Sequence, residues 1–127
     1  MTWRRIILGS AFCLSCLLSH GSAQQHFDFN SSTLREYCKL AEADSSKLSG
    51  DELDHAITCT YYVNGVIDGY IIGADPAKSF ICLPKNVTRG QFVLIVSKYL
   101  QDYPEKLQND PEYLIVDAIS KAFPCKR

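Results

Sequence analysis

The sequence predicts an all-α fold, a small bundle of four to five helices stapled by two disulfides. Apolar residues recur at three- and four-residue steps in four separate segments, which is the period of an amphipathic helix. No segment has the strict alternation of a convincing strand. Four cysteines follow residue 23, an even number that two cross-links would use completely. They are Cys38, Cys59, Cys82 and Cys125.

Residues 1–23 have the three parts of a cleaved secretion signal. Arg4 and Arg5 give a positive start, residues 6–18 form an apolar run, and the small residues 21–23 suit a cleavage site. The run is shorter than the roughly 20 residues of a membrane-spanning helix, so no membrane span is expected. We therefore expect an exported protein, in a compartment where disulfides persist.

Length and charge limit the kind of partner. The 104 residues that follow the signal suffice for one domain. Two of the thirteen basic residues and none of the fourteen acidic residues lie in the signal, which leaves a mature net charge of −3 with histidine neutral. This mild acidity argues against nucleic acid as a partner, because nucleic-acid binding needs a basic surface.

The mature chain is predicted to consist of a flexible arm at residues 24–32 and a helical domain at residues 33–127. The arm is polar and has no clear period. The first helix is predicted from Thr33 to near Asp44, with Thr33 and Glu36 as a capping box. Its apolar positions are Leu34, Tyr37, Cys38 and Ala41.

A long second helix is predicted from Leu53 to about Ile72. Ser49 and Glu52 form a capping box before it. The helix is apolar on more than one face, which is typical of a helix in the middle of a bundle.

Three glycines, Gly65, Gly69 and Gly73, stand four residues apart on one side of this helix. Each costs about 1 kcal/mol relative to alanine in a helix interior, so the stripe predicts a close contact. Its partner is expected to be a neighbouring helix of the same subunit, or alternatively a second subunit related by symmetry. Gly73 could instead end the helix as a left-handed cap.

Two further helices follow a loop that opens at residue 75. Thr88 and Gln91 form a third capping box, which starts the third helix. Pro104 stops or redirects that helix. The last helix begins at Asp110 and Pro111, a cap followed by proline at the first helical position.

The residues available for chemistry predict no active site. His26 and His55 are the only histidines after the signal, and neither belongs to a recognisable motif. The cysteines lie much farther apart than the two to four residues of a paired zinc ligand. The carboxylates near the start of the second helix are interpreted as a solvated helix end; they are Asp51, Glu52 and Asp54. We expect no catalytic residue, metal or cofactor, and a protein that is not an enzyme.

Several motifs together resemble the immunity proteins of type VI secretion amidase effectors, the Tai/Rap family. The motifs are Cys59, DGYIIG at 68–73, CLPKNVTRGQ at 82–91, KYLQDYPE at 98–105 and AISKAFPC at 118–125. The resemblance implies a small helical periplasmic protein that binds and blocks a secreted peptidoglycan amidase. It also implies a homodimer in which an exposed segment enters the active-site cleft of the toxin.

The same resemblance implies the disulfide pairing. Within the family pattern, Cys38 pairs with Cys59 and Cys82 pairs with Cys125. From the sequence alone, four cysteines permit three pairings.

Two turn-rich segments, 75–80 and 101–110, are the candidate surfaces for contact with the effector. Their composition predicts that both segments are exposed, and the helices on either side would hold them in place. The candidate contact residues are Asp75, Lys78, Asp102, Tyr103, Glu105 and Lys106.

Two other functions stay open at this point. A periplasmic acid-stress chaperone is also small, helical, disulfide-linked and dimeric, and the acidic residues at 51–54 could respond to low pH. The segments CLP at 82–84 and FPC at 123–125 favour the immunity function over the chaperone function. An orphan relative that binds another envelope protein is the third possibility.

Overall fold

The computed structural model describes residues 29–126; the predicted signal, residues 24–28 of the predicted arm and His26 lie outside them. Four α-helices form a bundle, as predicted. They are α1 (Ser31–Leu40), α2 (Gly50–Gly73), α3 (Arg89–Asp102) and α4 (Pro111–Ala122). Two short 3-10 turns, Ser45–Lys47 and Pro104–Lys106, precede α2 and α4. Within residues 29–126 there is no named strand, and Ile81 and Pro124 make an isolated bridge.

Helix α1 begins and ends earlier than predicted. The Asn30 side chain accepts a hydrogen bond from the Thr33 backbone N–H at 3.0 Å, so Asn30 is the N-cap. The predicted Thr33–Glu36 capping box is therefore wrong. Ser31 is fully buried and donates its hydroxyl to the Asn109 carbonyl at 2.6 Å, so the end of the predicted arm is part of the folded domain.

The other predicted helix starts are confirmed. The Ser49 N–H donates to Glu52 at 2.8 Å and the Thr88 N–H donates to Gln91 at 2.7 Å, and the reciprocal bonds complete both capping boxes. Asp110 and Pro111 stand at the N-cap and in the first turn of α4 as predicted, but the Asp110 side chain makes no capping hydrogen bond. The two capping boxes are strong local signals because each satisfies backbone N–H groups that no helical carbonyl can reach.

Helix α2 lies at the centre of the bundle and packs against α1, α3 and α4. The Cys38–Cys59 disulfide joins α1 to α2 inside the core, where both cysteines are fully buried. The largest fully buried side chains around it are Leu34, Leu100, Leu114, Ile115, Ile119, Val63 and Val96.

The glycine stripe does not pack against a helix of the same subunit, so that prediction is wrong. Gly65, Gly69 and Gly73 are exposed, and a Cβ built on any of them meets no atom within 4 Å in the described part of the chain. The core uses the opposite face of α2, at Val63 and Ile67. No described glycine has a left-handed φ, so the predicted cap at Gly73 is also wrong. A contact with a second subunit stays a prediction.

The second disulfide, Cys82–Cys125, ties the connection between α2 and α3 to the chain after α4. Two backbone hydrogen bonds flank it, from Cys82 N–H to the Phe123 carbonyl at 2.9 Å and from Cys125 N–H to the Phe80 carbonyl at 3.2 Å. Both pairings implied by the resemblance are therefore confirmed. Among the described residues, no helix is long and apolar enough to cross a membrane.

Candidate partner-binding surfaces

The groups that could carry catalysis have structural roles. All four described cysteines are in disulfides. The His55 ring stacks on Tyr37 with ring centroids 4.0 Å apart. Glu52 accepts two hydrogen bonds from Ser49, which hold the pKa of its carboxyl below the ordinary value. Residues 29–126 contain no group of three potential metal-ligating side chains.

Residues 75–80, which we call the docking segment, form a preorganised turn after α2. The Asp75 carboxylate accepts the Ala77 N–H at 2.9 Å and lies 3.7 Å from the Lys78 ammonium. Phe80 closes the segment with 49% of its surface exposed, while the edge of its ring contacts Tyr70. The segment therefore combines a large aromatic side chain with two charged ones.

Grooves lie on both sides of the docking segment. The larger, of about 870 Å³, separates it from the chain after α4. Its lining includes Lys78, Phe80, Cys82, Pro124, Cys125 and Lys126. The smaller, of about 310 Å³, lies toward the end of α2 and is mostly apolar. Its lining includes Tyr70, Ile71, Ala74, Pro76, Ile81 and Leu83.

The second candidate segment, 101–110, packs its Tyr103 ring against the ring of Tyr99 on α3. The Tyr99 and Tyr103 rings lie 4.7 Å apart. The Lys106 and Lys121 ammonium groups both lie over these rings, at 4.8 to 5.2 Å from their centroids. Both lysines also donate to the Asp117 carboxylate at 3.1 Å, and Tyr99 donates its hydroxyl to the same carboxylate.

The charges of this tyrosine–lysine cluster stabilise one another. Partial burial would raise the pKa of Asp117, but hydrogen bonds from Tyr99, Lys106 and Lys121 outweigh it and hold the pKa below its ordinary value. The hydrogen bonds that its ammonium donates to the Tyr99 hydroxyl and the Asp117 carboxylate raise the pKa of Lys106 above its usual range. The lysine is therefore charged and held in place.

The predicted contact residues of segment 101–110 divide into two kinds. Lys106 is engaged in the cluster, and Asp102 forms an ion pair with Lys98 at 2.9 Å. Tyr103 also belongs to the cluster, with 39% of its surface exposed, whereas the exposed Glu105 lies outside it. The Lys98–Asp102 pair is four residues apart on one helix, so the sequence contains that signal, whereas the contact of Lys106 with Asp117 depends on the position of α4 and has no local signal.

The two candidate segments lie at opposite ends of the α3–α4 hairpin. Phe92 at the start of α3 contacts Phe123 after α4, beside the bridge that holds the docking segment. Segment 101–110 lies at the other end of α3, whose 14 residues span about 21 Å. One copy of the protein therefore presents two separate surfaces rather than one composite site.

A third exposed surface runs along α2. Tyr61 is 76% exposed and Ile72 is 85% exposed, and the glycines Gly65 and Gly69 lie between them. The apolar pattern of the sequence did not separate this face from the buried one, because α2 is apolar on both. We call the exposed residues 57, 61, 65, 69 and 72 the open face of α2.

These features define a class of protein: a small, disulfide-linked helical module with exposed aromatic and charged segments. The family model of the Rap1a immunity proteins matches residues 30–125, nearly the whole described domain. The chain belongs to this family. Membership makes it an immunity protein against a type VI secretion effector. No curated protein and no solved structure matches the chain.

Proposed function

We propose that this protein is exported to the periplasm, where it binds a type VI secreted peptidoglycan amidase and blocks its active-site cleft. The observation that carries the proposal is the family match over residues 30–125. The signal pattern at residues 1–23 supports export. An inhibitor of this kind needs only to exclude substrate, which agrees with the structural roles of the described cysteines, His55 and Glu52.

The docking segment is the surface that we assign to the cleft. Phe80 supplies an exposed aromatic side chain, a type of residue that is enriched at protein interfaces. The internal bonds of Asp75 and the Cys82–Cys125 disulfide fix the segment before binding. Less conformational entropy is then lost when it enters a cleft.

Segment 101–110 is the alternative surface for the effector. Its residues Asp102, Tyr103, Glu105 and Lys106 are presented by a rigid cluster. Three of the four, Asp102, Tyr103 and Lys106, already have charged or aromatic partners in the same chain, so binding would have to replace or share those contacts. The docking segment is favoured because its aromatic side chain, Phe80, is more exposed than Tyr103.

A direct test measures binding and inhibition with matched variants. The oxidised mature protein is titrated against purified candidate amidase effectors, and dissociation constants and peptidoglycan hydrolysis are recorded. The combined variant Asp75→Ala, Lys78→Ala and Phe80→Ala should weaken binding by about 100-fold, because aromatic anchors of interfaces typically contribute 2 kcal/mol or more.

The matched control is Asp102→Ala, Tyr103→Ala and Glu105→Ala at the other end of the hairpin. It should change the dissociation constant by less than about fivefold, as peripheral contacts do. The reverse result would move the effector contact to segment 101–110. An absence of binding to every amidase tested would contradict the proposed target.

We also propose that the protein is a homodimer in which two copies meet through the open face of α2. Tyr61 and Ile72 supply apolar area, and Gly65 and Gly69 allow two helices to approach closely. Asp68 and Arg89 form an ion pair at 2.6 Å beside this face. Because these two charges pair within one copy, a second copy would not meet an unpaired charge of this pair at the edge of the face.

The dimer is tested by analytical ultracentrifugation of Gly69→Arg. Space around Gly69 admits a side chain in the monomer, so the variant should fold and sediment as a monomer. The control, Gly50→Arg, adds the same charge at an equally open glycine about 28 Å away at the other end of α2 and should leave the dimer intact. A Gly69→Arg protein that still dimerises would exclude this face.

A further inference from the structure

The two disulfides differ in how a reagent can reach them. Cys38 and Cys59 are both 0% exposed, between α1 and α2 in the core. Cys82 is exposed and Cys125 is half-buried, and both line the larger groove beside the docking segment. Cys82–Cys125 is therefore open to a reagent in the folded protein, whereas Cys38–Cys59 becomes reachable only when the core opens.

The surroundings of Cys82–Cys125 also favour exchange. Lys126 lines the same groove, and so does Lys78, whose charge is partly offset by the Asp75 carboxylate at 3.7 Å. Positive charge near a cysteine stabilises its thiolate, which makes that sulfur a better leaving group when the disulfide is attacked. A thiolate that enters the groove thus meets an accessible bond in a favourable electrostatic environment.

We propose that Cys82–Cys125 is a thiol–disulfide exchange site for a dithiol reductant and that its redox state controls the docking segment. One thiolate of the dithiol attacks a sulfur of the pair, forms a mixed disulfide and releases the other cysteine as a thiolate. The second thiol of the dithiol then attacks the mixed disulfide. Two electrons pass to the protein, which holds two thiols, and the dithiol becomes a disulfide.

Opening this bond should release the docking segment but not the bundle. No residue from 74 to 88 is fully buried; Ile81, Leu83 and Val87 are the apolar side chains of this stretch that pack partly against the core. Without the disulfide, the Ile81–Pro124 bridge and its two flanking hydrogen bonds remain as the link to the chain after α4. The helices keep their buried core and Cys38–Cys59.

The test of the exchange site is a titration of the oxidised mature protein with dithiothreitol. Free thiols are trapped with iodoacetamide and assigned by peptide mass spectrometry, while circular dichroism follows the helices. Cys82 and Cys125 should be labelled at least about tenfold faster than Cys38 and Cys59, because reaction of the buried pair needs an opening of the core. Equal rates, or faster labelling of the buried pair, would overturn the proposal.

Control of the docking segment is tested by limited trypsin digestion at Lys78 and Lys85, which are both exposed. Selective reduction should raise the rate of cleavage at these sites at least about tenfold, since trypsin cuts locally unfolded chain. The double variant Cys82→Ser and Cys125→Ser should reproduce that rate without reductant. An unchanged rate in both samples would show that the disulfide does not hold the segment.

The effect on the effector rests on the proposed function and has its own readout. Selective reduction should weaken amidase binding, and the double variant Cys82→Ser and Cys125→Ser should weaken it by the same factor without reductant. If the oxidised protein binds no amidase, the proposed function fails while the labelling and trypsin results still decide the exchange site. If the oxidised and reduced proteins bind equally well, the control of binding is refuted although the protein is an amidase inhibitor.

Discussion

Replacing glycine by alanine at Gly65 and Gly69 should stabilise the monomer. Both residues lie in the interior of the 24-residue helix α2, and both are exposed. A Cβ at either position meets no atom of the described chain within 4 Å, so alanine adds no steric clash. Their φ values are not left-handed, so alanine can adopt the same backbone conformation.

The magnitude follows from helix propensity. Glycine is less favourable than alanine by about 0.8–1.0 kcal/mol in a helix interior, chiefly because its unfolded chain has more conformational entropy to lose. The double variant should therefore gain nearly 2 kcal/mol in free energy of unfolding. For a domain of about 100 residues, this corresponds to a rise of about 8 °C or more in Tm.

The assay is urea denaturation followed by circular dichroism, at protein concentrations low enough to keep the chain monomeric. Gly90→Ala is the matched control. Gly90 is equally open but lies in the first turn of α3, where fewer helical hydrogen bonds depend on the residue, so its gain should be smaller. A loss of monomer stability in Gly65→Ala or Gly69→Ala would refute the reasoning, since it would mean that another part of the chain covers this face.

Three further predictions concern the cluster, a cap and the buried disulfide. Asp117→Asn should cost about 1–3 kcal/mol at pH 7 in urea denaturation, because it leaves the hydrogen-bonding groups of Lys106 and Tyr99 without their carboxylate. The folded pKa of Asp117 is lowered, so its contribution is complete above the ordinary value of 3.8 and is lost as the pH falls through the folded pKa. The difference between wild type and variant should therefore shrink below about pH 4, and a constant difference would contradict this assignment. Thr88→Ala should cost about 1 kcal/mol in the same assay by removing an N-cap, and no change would show that the bond to Gln91 is dispensable. Replacing both cysteines of the Cys38–Cys59 pair by alanine should lower the free energy of unfolding by about 3 kcal/mol, as expected from the 21-residue separation. The measurement compares urea denaturation of the variant with that of the oxidised and the reduced wild type.

The features that the sequence predicts correctly are those with local or covalent causes. The capping boxes at Ser49 and Thr88 depend on residues three positions apart, so the pattern contains all the information needed. The buried stripe of α4 follows helical periodicity for the same reason. The disulfide pairing came from the resemblance, because spacing alone does not choose among three pairings.

The features that the sequence misses depend on competition between similar signals. Asn30 and Thr33 are both good N-caps, and the burial of Ser31 against Asn109, 78 residues away, favours the earlier start. The sequence predicts a packed glycine stripe on α2, whereas the structure leaves that face open. Periodicity reports apolar character and does not report which of two apolar faces the other helices cover. The tyrosine–lysine cluster likewise needs α4 beside α3, which short-range patterns do not specify.

The cost of the glycines in α2 and the exposure of its apolar side chains have one explanation in the proposed dimer. In the monomer, Gly65 and Gly69 together lose nearly 2 kcal/mol against alanine, and Tyr61 and Ile72 remain in water. A crossing of two α2 helices would bury these side chains and would use the absence of a Cβ to bring the helix axes together. The two alanine variants should then have opposite effects on folding and on association: a more stable monomer and a weaker dimer. If they strengthen both, the glycines do not serve this contact and the open face of α2 must bind something other than its own copy.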